Sequence, residues 1–163
     1  MQGDFLEVLA YEQALSKSDP VIYQRSLIAP GAGAGDLHYG VAKLLPGRIG
    51  PEYFFTKGHL HAWRPASEVY LCLRGEGRIL LEDEQTGEGR MLPFGRGCVV
   101  YVPGGTAHRT VNVGDDELIY FGVYPAGAGH DCGLLAERNF RHVIIEQAGA
   151  PVLRERREFL ESR

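Results

Sequence analysis

The sequence predicts a single all-β domain, an antiparallel sandwich or barrel preceded by a short helix. Its 163 residues are the length of one domain with its own core. Short apolar segments of period two recur along the chain, as strands do when one face is buried. The 22 glycines are spread between these segments as turns, and no strand–helix alternation typical of a parallel sheet is evident. We therefore expect residues 1–163 to form one domain.

The first element is predicted to be a short helix. Residues 4–7 have the pattern of a capping box, with Asp4 as the N-cap and Glu7 three residues later. Apolar residues as far as Leu15 then form one stripe, and Pro20 ends the helical pattern.

From residue 21 onward the pattern changes to period two. The Arg- and Glu-rich residues 153–160 predict a C-terminal extension, either a solvated helix or a frayed tail. Residues 143–145 are a candidate for one further strand. The other predicted strands are 21–28, 37–45, 53–56, 68–73, 78–81, 99–102, 109–113 and 118–124.

Charge and cysteine content limit the classes of partner and the compartment. A net charge of −4 gives no reason to expect nucleic acid or an anionic membrane. Cys72, Cys98 and Cys132 are odd in number and form no CxxC pair, which favours a reducing, cytoplasmic setting over a disulfide framework. We expect neither a signal peptide nor a membrane span, because the N-terminus lacks a basic and apolar leader pattern and no apolar stretch approaches ~20 residues.

Four side chains have the composition of a metal site. His59 and His61 lie one residue apart on a segment predicted to be extended, so their side chains share a face. Such a pair alone is more often two surface or pocket histidines. Glu68, at the head of a predicted strand, and His108, just after a turn, change that weighting, because a jelly roll brings distant strands onto one inner face. Three imidazoles and a carboxylate suit Fe(II), Mn(II), Ni(II) or Zn(II).

The same residues carry a resemblance to a known family. Residues 58–61 with Glu68 and the turn 75–77, followed by Pro103 and His108, resemble the two motifs of the cupins. Within the cupins, the chain is most similar to the cupin-type phosphoglucose isomerases, from about residue 19 to 145. The stretches that carry this closer resemblance are 56–61, 68–70, 100–103, 107–112, 124–125 and 128–131.

The resemblance implies a fold, an activity and a set of site residues. The fold would be the cupin double-stranded β-helix, a jelly-roll barrel, in a homodimer. The activity would be interconversion of glucose 6-phosphate and fructose 6-phosphate with Fe(II) or another divalent metal. The implied metal ligands are His59, His61, Glu68 and His108. Thr56, Lys57 and Gly58 would hold the phosphate, and Tyr70, Tyr124 and His130 would line the sugar pocket.

The mechanism of such an isomerase leaves two routes open. A proton may move through an enediol, which needs a base near the carbon, and Glu68 is the candidate. A carboxylate bound to a cation is a weaker base, so a direct hydride shift is the alternative. Tyr124 and His130 are further candidates for catalysis, although a core tyrosine and a turn histidine would explain them equally well without the resemblance.

Four positions depart from the family pattern and weaken the assignment of substrate. Ala42 and Cys132 stand where a threonine and a tyrosine are expected, and Gly104 and Gly105 replace a proline and a bulky residue. Another cupin enzyme on the same metal site, either an isomerase or epimerase of a different sugar or an iron dioxygenase, is therefore one alternative. A non-catalytic sugar-binding cupin is the other.

Overall fold

The computed structural model describes residues 5–162, apart from the side chain of Leu134. The helices in this range are α1 (Val8–Lys17), α2 (Gly133–Arg138) and α3 (Arg156–Glu161). The strands are β1 (Tyr23–Ile28), β2 (Leu37–Leu44), β3 (Arg48–Ile49), β4 (Glu52–Tyr53), β5 (Glu68–Arg74), β6 (Glu76–Asp83), β7 (Gly89–Gly95), β8 (Val99–Val102), β9 (Thr106–Asn112), β10 (Leu118–Pro125), β11 (His142–Gln147) and β12 (Ala150–Glu155).

Three antiparallel sheets pack around a shared interior. Their strand orders are β1-β2-β10-β5-β8, β7-β6-β9 and β12-β11-β4-β3. One core cluster, which includes Leu44, Phe94 and Tyr120, joins the five-stranded sheet to the three-stranded sheet. A second cluster, which includes Leu80 and Ile144, joins the three-stranded sheet to β11. The predicted all-β class is confirmed.

The predicted strands are observed, most of them with shifted ends, and three strands were missed. The segment 53–56 contributes only Tyr53 to a regular strand. The unpredicted strands are the two-residue β3, the longer β7 and the C-terminal β12. Strand β7 contains Pro93, which cannot donate to a ladder, but β7 lies at the edge of its sheet, where proline is tolerated.

The predicted capping box is wrong for the observed helix. Asp4 lies outside the described residues. Helix α1 begins at Val8, and Glu7 is its N-cap without a side-chain capping hydrogen bond. Phe5 and Leu6 are buried ahead of the helix. Burial of these two apolar side chains therefore decides the path of the chain here, and local capping chemistry does not.

The C-terminal extension is partly a strand, against the prediction of a helix or tail. Strands β11 and β12 form a hairpin, with Ile144 opposite Leu153. Ala148 and Gly149 make its turn, and both have positive φ, as tight hairpin turns require. Only Arg156–Glu161 is helical. Pairing with β11 leaves Pro151, Val152 and Leu153 half-buried.

The C-terminal region is tied to the barrel by a fully buried carboxylate. Glu82 of β6 accepts hydrogen bonds from the Arg138 guanidinium at 2.7 Å and from the backbone N–H groups of Arg141 and His142 at 2.8 and 3.3 Å. A buried charge is stable only when it is paired in this way.

In the described part of the chain, no helix has the length and apolar character that would span a membrane.

Candidate metal centre and pocket

The segment that carries His59 and His61 is extended along strand β9. Thr56 N–H donates to the Thr110 carbonyl at 2.9 Å, and His59 and His108 exchange two backbone hydrogen bonds of 3.2 and 3.0 Å. This antiparallel bridge sets His59 beside His108. Because side chains alternate along an extended segment, His61 faces the same way as His59.

The ligand atoms of the four predicted residues converge. One nitrogen from each of His59, His61 and His108 and one oxygen of Glu68 lie within 4.8 Å of one another. Glu68 Oε2 is 3.1 Å from His108 Nε2, 3.3 Å from His61 Nε2 and 4.0 Å from His59 Nε2. The carboxylate and two of the imidazoles are almost fully buried.

Backbone carbonyls fix the orientation of two rings. His61 Nδ1 lies 3.1 Å from the Ala66 carbonyl oxygen, and His108 Nδ1 lies 3.0 Å from the Thr106 carbonyl oxygen. A carbonyl only accepts, so each Nδ1 is the donor, and in a neutral ring Nε2 keeps its lone pair. These lone pairs then face the Glu68 carboxylate, so a proton or a metal cation is needed between them.

The electrostatics of the cluster favour a cation. Burial, and then the charge of His108, lower the pKa of His59 to about 2. Burial alone would raise the pKa of Glu68, but the hydrogen bonds that His108 and His61 donate when their Nε2 atoms are protonated outweigh it and hold that pKa at about 2. A neutral imidazole beside an ionised carboxylate is the state that binds a metal. Nε2 of His59 is buried and has no hydrogen-bond partner in the described chain, so no other group competes with a metal for it.

A cavity of about 330 Å³ opens beside the cluster. The inner face of β5 and β10 forms one wall, and the segment 56–58 forms part of the other. Of the predicted site residues, His61 belongs to the cluster but not to the cavity wall. Those on the wall are Thr56, Lys57, Gly58, His59, Glu68, Tyr70, His108, Tyr124 and His130.

The predicted phosphate segment has the geometry of a rigid donor loop. Thr56 Oγ1 accepts a hydrogen bond from Thr110 N–H at 3.1 Å, so its own hydroxyl hydrogen stays free to donate. Gly58 has φ of +78°, and a Cβ there would lie 2.7 Å from the Phe140 ring. The Lys57 side chain is exposed, while its carbonyl accepts from Arg109 Nη2 at 2.8 Å. Only glycine fits at position 58.

Arg109 supports this loop from the interior of the protein. Its guanidinium carbon lies 4.1 Å from the centroid of the Phe55 ring and 4.3 Å from that of Phe140. The side chain is buried, and its cation–π contacts offset the cost of burying its charge. The Arg109 guanidinium is therefore held in the interior and not at the surface.

Three further predicted residues surround the cluster. Tyr70 is buried beside Glu68, and burial, followed by the charge of Glu68, raises its pKa well above the usual value. Tyr124 Oη is buried and has no hydrogen-bond partner among residues 5–162. The His130 ring centroid lies 4.4 Å from that of His59 and 5.4 Å from that of Tyr124. Burial is the main cause that lowers the pKa of His130, and the charge of Arg25 is the next.

Comparison with known proteins identifies the family. The model of the family described as glucose-6-phosphate isomerase (GPI) matches residues 2–160. The chain belongs to the glucose-6-phosphate isomerase family. It is 45% identical over 149 residues to the glucose-6-phosphate isomerase of Pyrococcus abyssi, a match that covers 91% of this chain and 78% of the relative. The enzyme of the same name from Pyrococcus horikoshii is 44% identical over the same shares.

Solved structures show the cupin fold. Oxalate oxidase in complex with glycolate aligns with a TM-score of 0.59 and 17% identity, over 72% of this chain and 58% of that one. Oxalate decarboxylase of Lactobacillus farciminis, a formate complex, aligns with a TM-score of 0.54 and 18% identity, over 69% of this chain and 31% of that one. At this identity the likeness concerns the fold alone, and the cupin architecture predicted for this isomerase family member is confirmed.

The positions that depart from the isomerase family pattern have two different settings. Ala42 and Cys132 line the cavity, so their exchange alters the space around a ligand. Gly104 is outside the wall: a Cβ there would lie 2.5 Å from the Arg64 carbonyl oxygen, and Gly105 has φ of +69°. Close backbone packing therefore requires glycine at position 104, and the positive φ favours glycine at position 105.

The cavity residues that sequence reasoning missed include those of strand β1 and two of β10, Tyr120 and Gly122. Tyr23 and Arg25 of β1 and Tyr120 of β10 line the cavity. Period two places Tyr23 and Arg25 on one face of the strand, but the sequence does not reveal which face turns inward. That is decided by the register, which sets Arg25 opposite Ala42 and Tyr23 opposite Leu44.

Removing one imidazole should weaken metal binding. For His108→Ala we expect the affinity for Mn(II) or Zn(II) to fall by about a hundredfold or more, because a donor of the site is lost. Equilibrium dialysis followed by elemental analysis measures stoichiometry and affinity. His38→Ala is the control, since His38 bonds the Gly31 carbonyl oxygen outside the cluster. Equal affinity of His108→Ala and the parent protein would contradict the assignment.

Proposed function

We propose that this chain is a metal-dependent aldose–ketose isomerase that interconverts glucose 6-phosphate and fructose 6-phosphate. The observation that carries the proposal is the buried cluster of three imidazoles and one carboxylate beside a cavity of ligand size. Relatives that are 42–45% identical over 91% of this chain are named glucose-6-phosphate isomerases. The oxalate enzymes share only the fold, so they favour no second activity.

We propose that the cluster holds one divalent metal per chain, with Fe(II) first and Mn(II), Ni(II) and Zn(II) as alternatives for the same donors. The ligands would be His59, His61, Glu68 and His108. The unpartnered Nε2 of His59 and the acceptor atoms facing Glu68 support this fit. When bound, the metal would polarise the sugar carbonyl and acidify the neighbouring hydroxyl group.

We propose that the segment 56–58 holds the phosphate. The Thr56 hydroxyl donates, the glycine at 58 lets an anion approach the backbone closely, and Lys57 adds positive charge. Tyr70 lies on the opposite wall, near the Glu68 carboxylate. The two ends of the substrate would thus be held by different parts of the chain.

Glu68 is the proposed base of an enediol route. Its Oε2 faces the imidazoles, while its Oε1 lies 3.1 Å from where a Cβ on Gly122 would be. Glycine at 122 therefore leaves Oε1 accessible from the cavity. Oε1 would take the proton from C2 of the aldose and return it to C1.

Tyr124 and His130 are proposed to act at the sugar oxygens. Because the pKa of His130 is lowered, the ring is neutral near pH 7 and offers one donor and one acceptor. It would take the proton that O2 loses and deliver a proton to O1. The unpartnered Tyr124 hydroxyl would hydrogen-bond the same oxygens.

Isomerase activity should depend on the metal and on Glu68. We expect fructose 6-phosphate turnover with Fe(II)-reloaded protein, almost none after chelation, and a loss of kcat of about a hundredfold or more for Glu68→Gln, which removes the base. A coupled assay of glucose 6-phosphate formation measures this. Glu88→Gln, at an exposed pair with Arg90, is the control. No turnover with any of the four metals would refute the proposal.

The proton route should leave an isotopic trace. A carboxylic acid exchanges its proton with solvent, so the enediol route predicts deuterium at C2 of glucose 6-phosphate and C1 of fructose 6-phosphate after turnover in deuterated water. Proton NMR and mass spectrometry of the sugars measure it, with enzyme-free substrate as the control. If many turnovers introduce no solvent deuterium, a hydride shift replaces this scheme.

We also propose that the protein is a cytoplasmic homodimer. The outer face of the five-stranded sheet supports the dimer, because apolar side chains cover it on every strand, with Val99 at 65% and Tyr101 at 59% exposure. Monomers rarely leave so broad an apolar face in water, and a second copy would cover it. The side chains concerned are Ile28, Tyr39, Val41, Val69, Leu71, Val99, Tyr101, Phe121 and Val123.

A charge on that face should separate the subunits. We expect the mass of a dimer for the parent protein and of a monomer for Val99→Lys, because burying an unpaired ammonium is costly. Sedimentation velocity measures both. Leu9→Lys on α1, where the leucine is 75% exposed, is the matched control. If Val99→Lys sediments like the parent protein, the dimer does not use this face.

A further inference from the structure

We propose that Arg25 binds the phosphate group of the substrate and thereby determines the preference of this protein for a phosphorylated sugar. The inference rests on the function proposed above and adds a residue at the same cavity. Arg25 lies on β1, outside the two cupin motifs and outside the stretches that carry the closer resemblance to the isomerases.

The register of three strands directs Arg25 towards the cavity. Arg25 lies opposite Ala42 of β2, and Ala42 lies opposite Tyr120 of β10. Tyr120 is buried, so this row of side chains is on the inner face of the sheet. Tyr23, two residues before Arg25, packs against the inner core cluster. Alternation therefore turns Arg25 inward, and it lines the cavity wall.

The Arg25 guanidinium has no ion-pair or hydrogen-bond partner among the described residues. No carboxylate in the range 5–162 pairs with it, and none of the hydrogen bonds among those residues involves its guanidinium. Burial dominates the pKa of both His130 and Tyr124, but the charge of Arg25 acts on each of them as well. The positive charge of Arg25 thus acts on two side chains that line the same cavity.

The other arginine on the cavity wall, Arg109, already has partners within the protein. Arg109 is held between the Phe55 and Phe140 rings and donates to the Lys57 carbonyl. These contacts assign it to the support of the loop. Arg25 instead remains exposed at the rim, as a group that captures a dianion from solvent should be.

The small side chain of Ala42, opposite Arg25, leaves space for an anion beside the guanidinium. The alanine methyl group occupies little of the row between Arg25 and Tyr120 and offers no hydroxyl to an anion. A guanidinium binds a phosphate through two parallel, charge-assisted hydrogen bonds, which are stronger than that of a neutral hydroxyl. With Thr56 and Gly58 on the other wall, the phosphate would be held from two sides.

The test measures binding and turnover in Arg25→Met and Arg25→Lys. Calorimetry with glucitol 6-phosphate, which lacks the reactive carbonyl, and with unphosphorylated glucitol gives the two dissociation constants. For Arg25→Met we expect Kd for glucitol 6-phosphate and KM for fructose 6-phosphate to rise about tenfold to a hundredfold, with kcat changing less than about threefold. Binding of glucitol should be unchanged. Arg25→Lys, which keeps the charge without the fork, should fall between Arg25→Met and the parent protein.

Arg96→Met is the matched control, because it removes the same charge at an exposed turn away from the cavity. An unchanged Kd in Arg25→Met, or an equal loss in Arg96→Met, overturns the inference while isomerase activity of the parent protein stands. If the parent protein binds glucitol 6-phosphate through Arg25 but does not isomerise fructose 6-phosphate, the inference stands and the proposed function falls. Absence of both binding and turnover in the parent protein overturns both.

Discussion

The backbone bridge between His59 and His108 is the interaction on which the site depends. Four acceptor atoms within 4.8 Å of one another repel when no cation lies between them, and two of the rings and the carboxylate are almost fully buried. Desolvating an ionised carboxylate costs several kcal/mol. The fold offsets that cost with rigid supports: the bridge itself and the carbonyls of Ala66 and Thr106, which hold two rings in place.

Glycines create the space that the polar groups need. A Cβ on Gly122 would lie 2.8 Å from the Tyr70 ring and 3.1 Å from Glu68 Oε1, so any larger residue would displace the carboxylate or the Tyr70 ring. Gly58 has the same function on the opposite wall, where the Phe140 ring leaves no room. On both walls, glycine thus lets the backbone approach an aromatic ring closely.

Strand β1 links the cavity to the outer surface of the sheet. It lies at the edge of its sheet and pairs only with β2 there, and its exposed side chains alternate between the two faces. Arg25 faces the cavity, while Ile28 belongs to the apolar outer face. A strand with one neighbour is the most easily displaced part of a sheet. Contact on its outer face would therefore stabilise the position of the proposed phosphate-binding arginine.

The sequence by itself determined the fold class, the donor set and the family, because period-two apolar segments, an HxH pair and two motifs are local patterns. It also identified nine of the 20 described residues that line the cavity. It did not determine the start of α1, where burial of Phe5 and Leu6 overrides capping, or the β11–β12 hairpin, where pairing overrides a helical pattern.

Only the tertiary structure decided which face of β1 turns inward, and with it the position of Arg25 in the cavity. The physical reason is that alternation specifies which residues share a face, while the pairing of β1 with β2 and the burial of Tyr120 specify which face is inside.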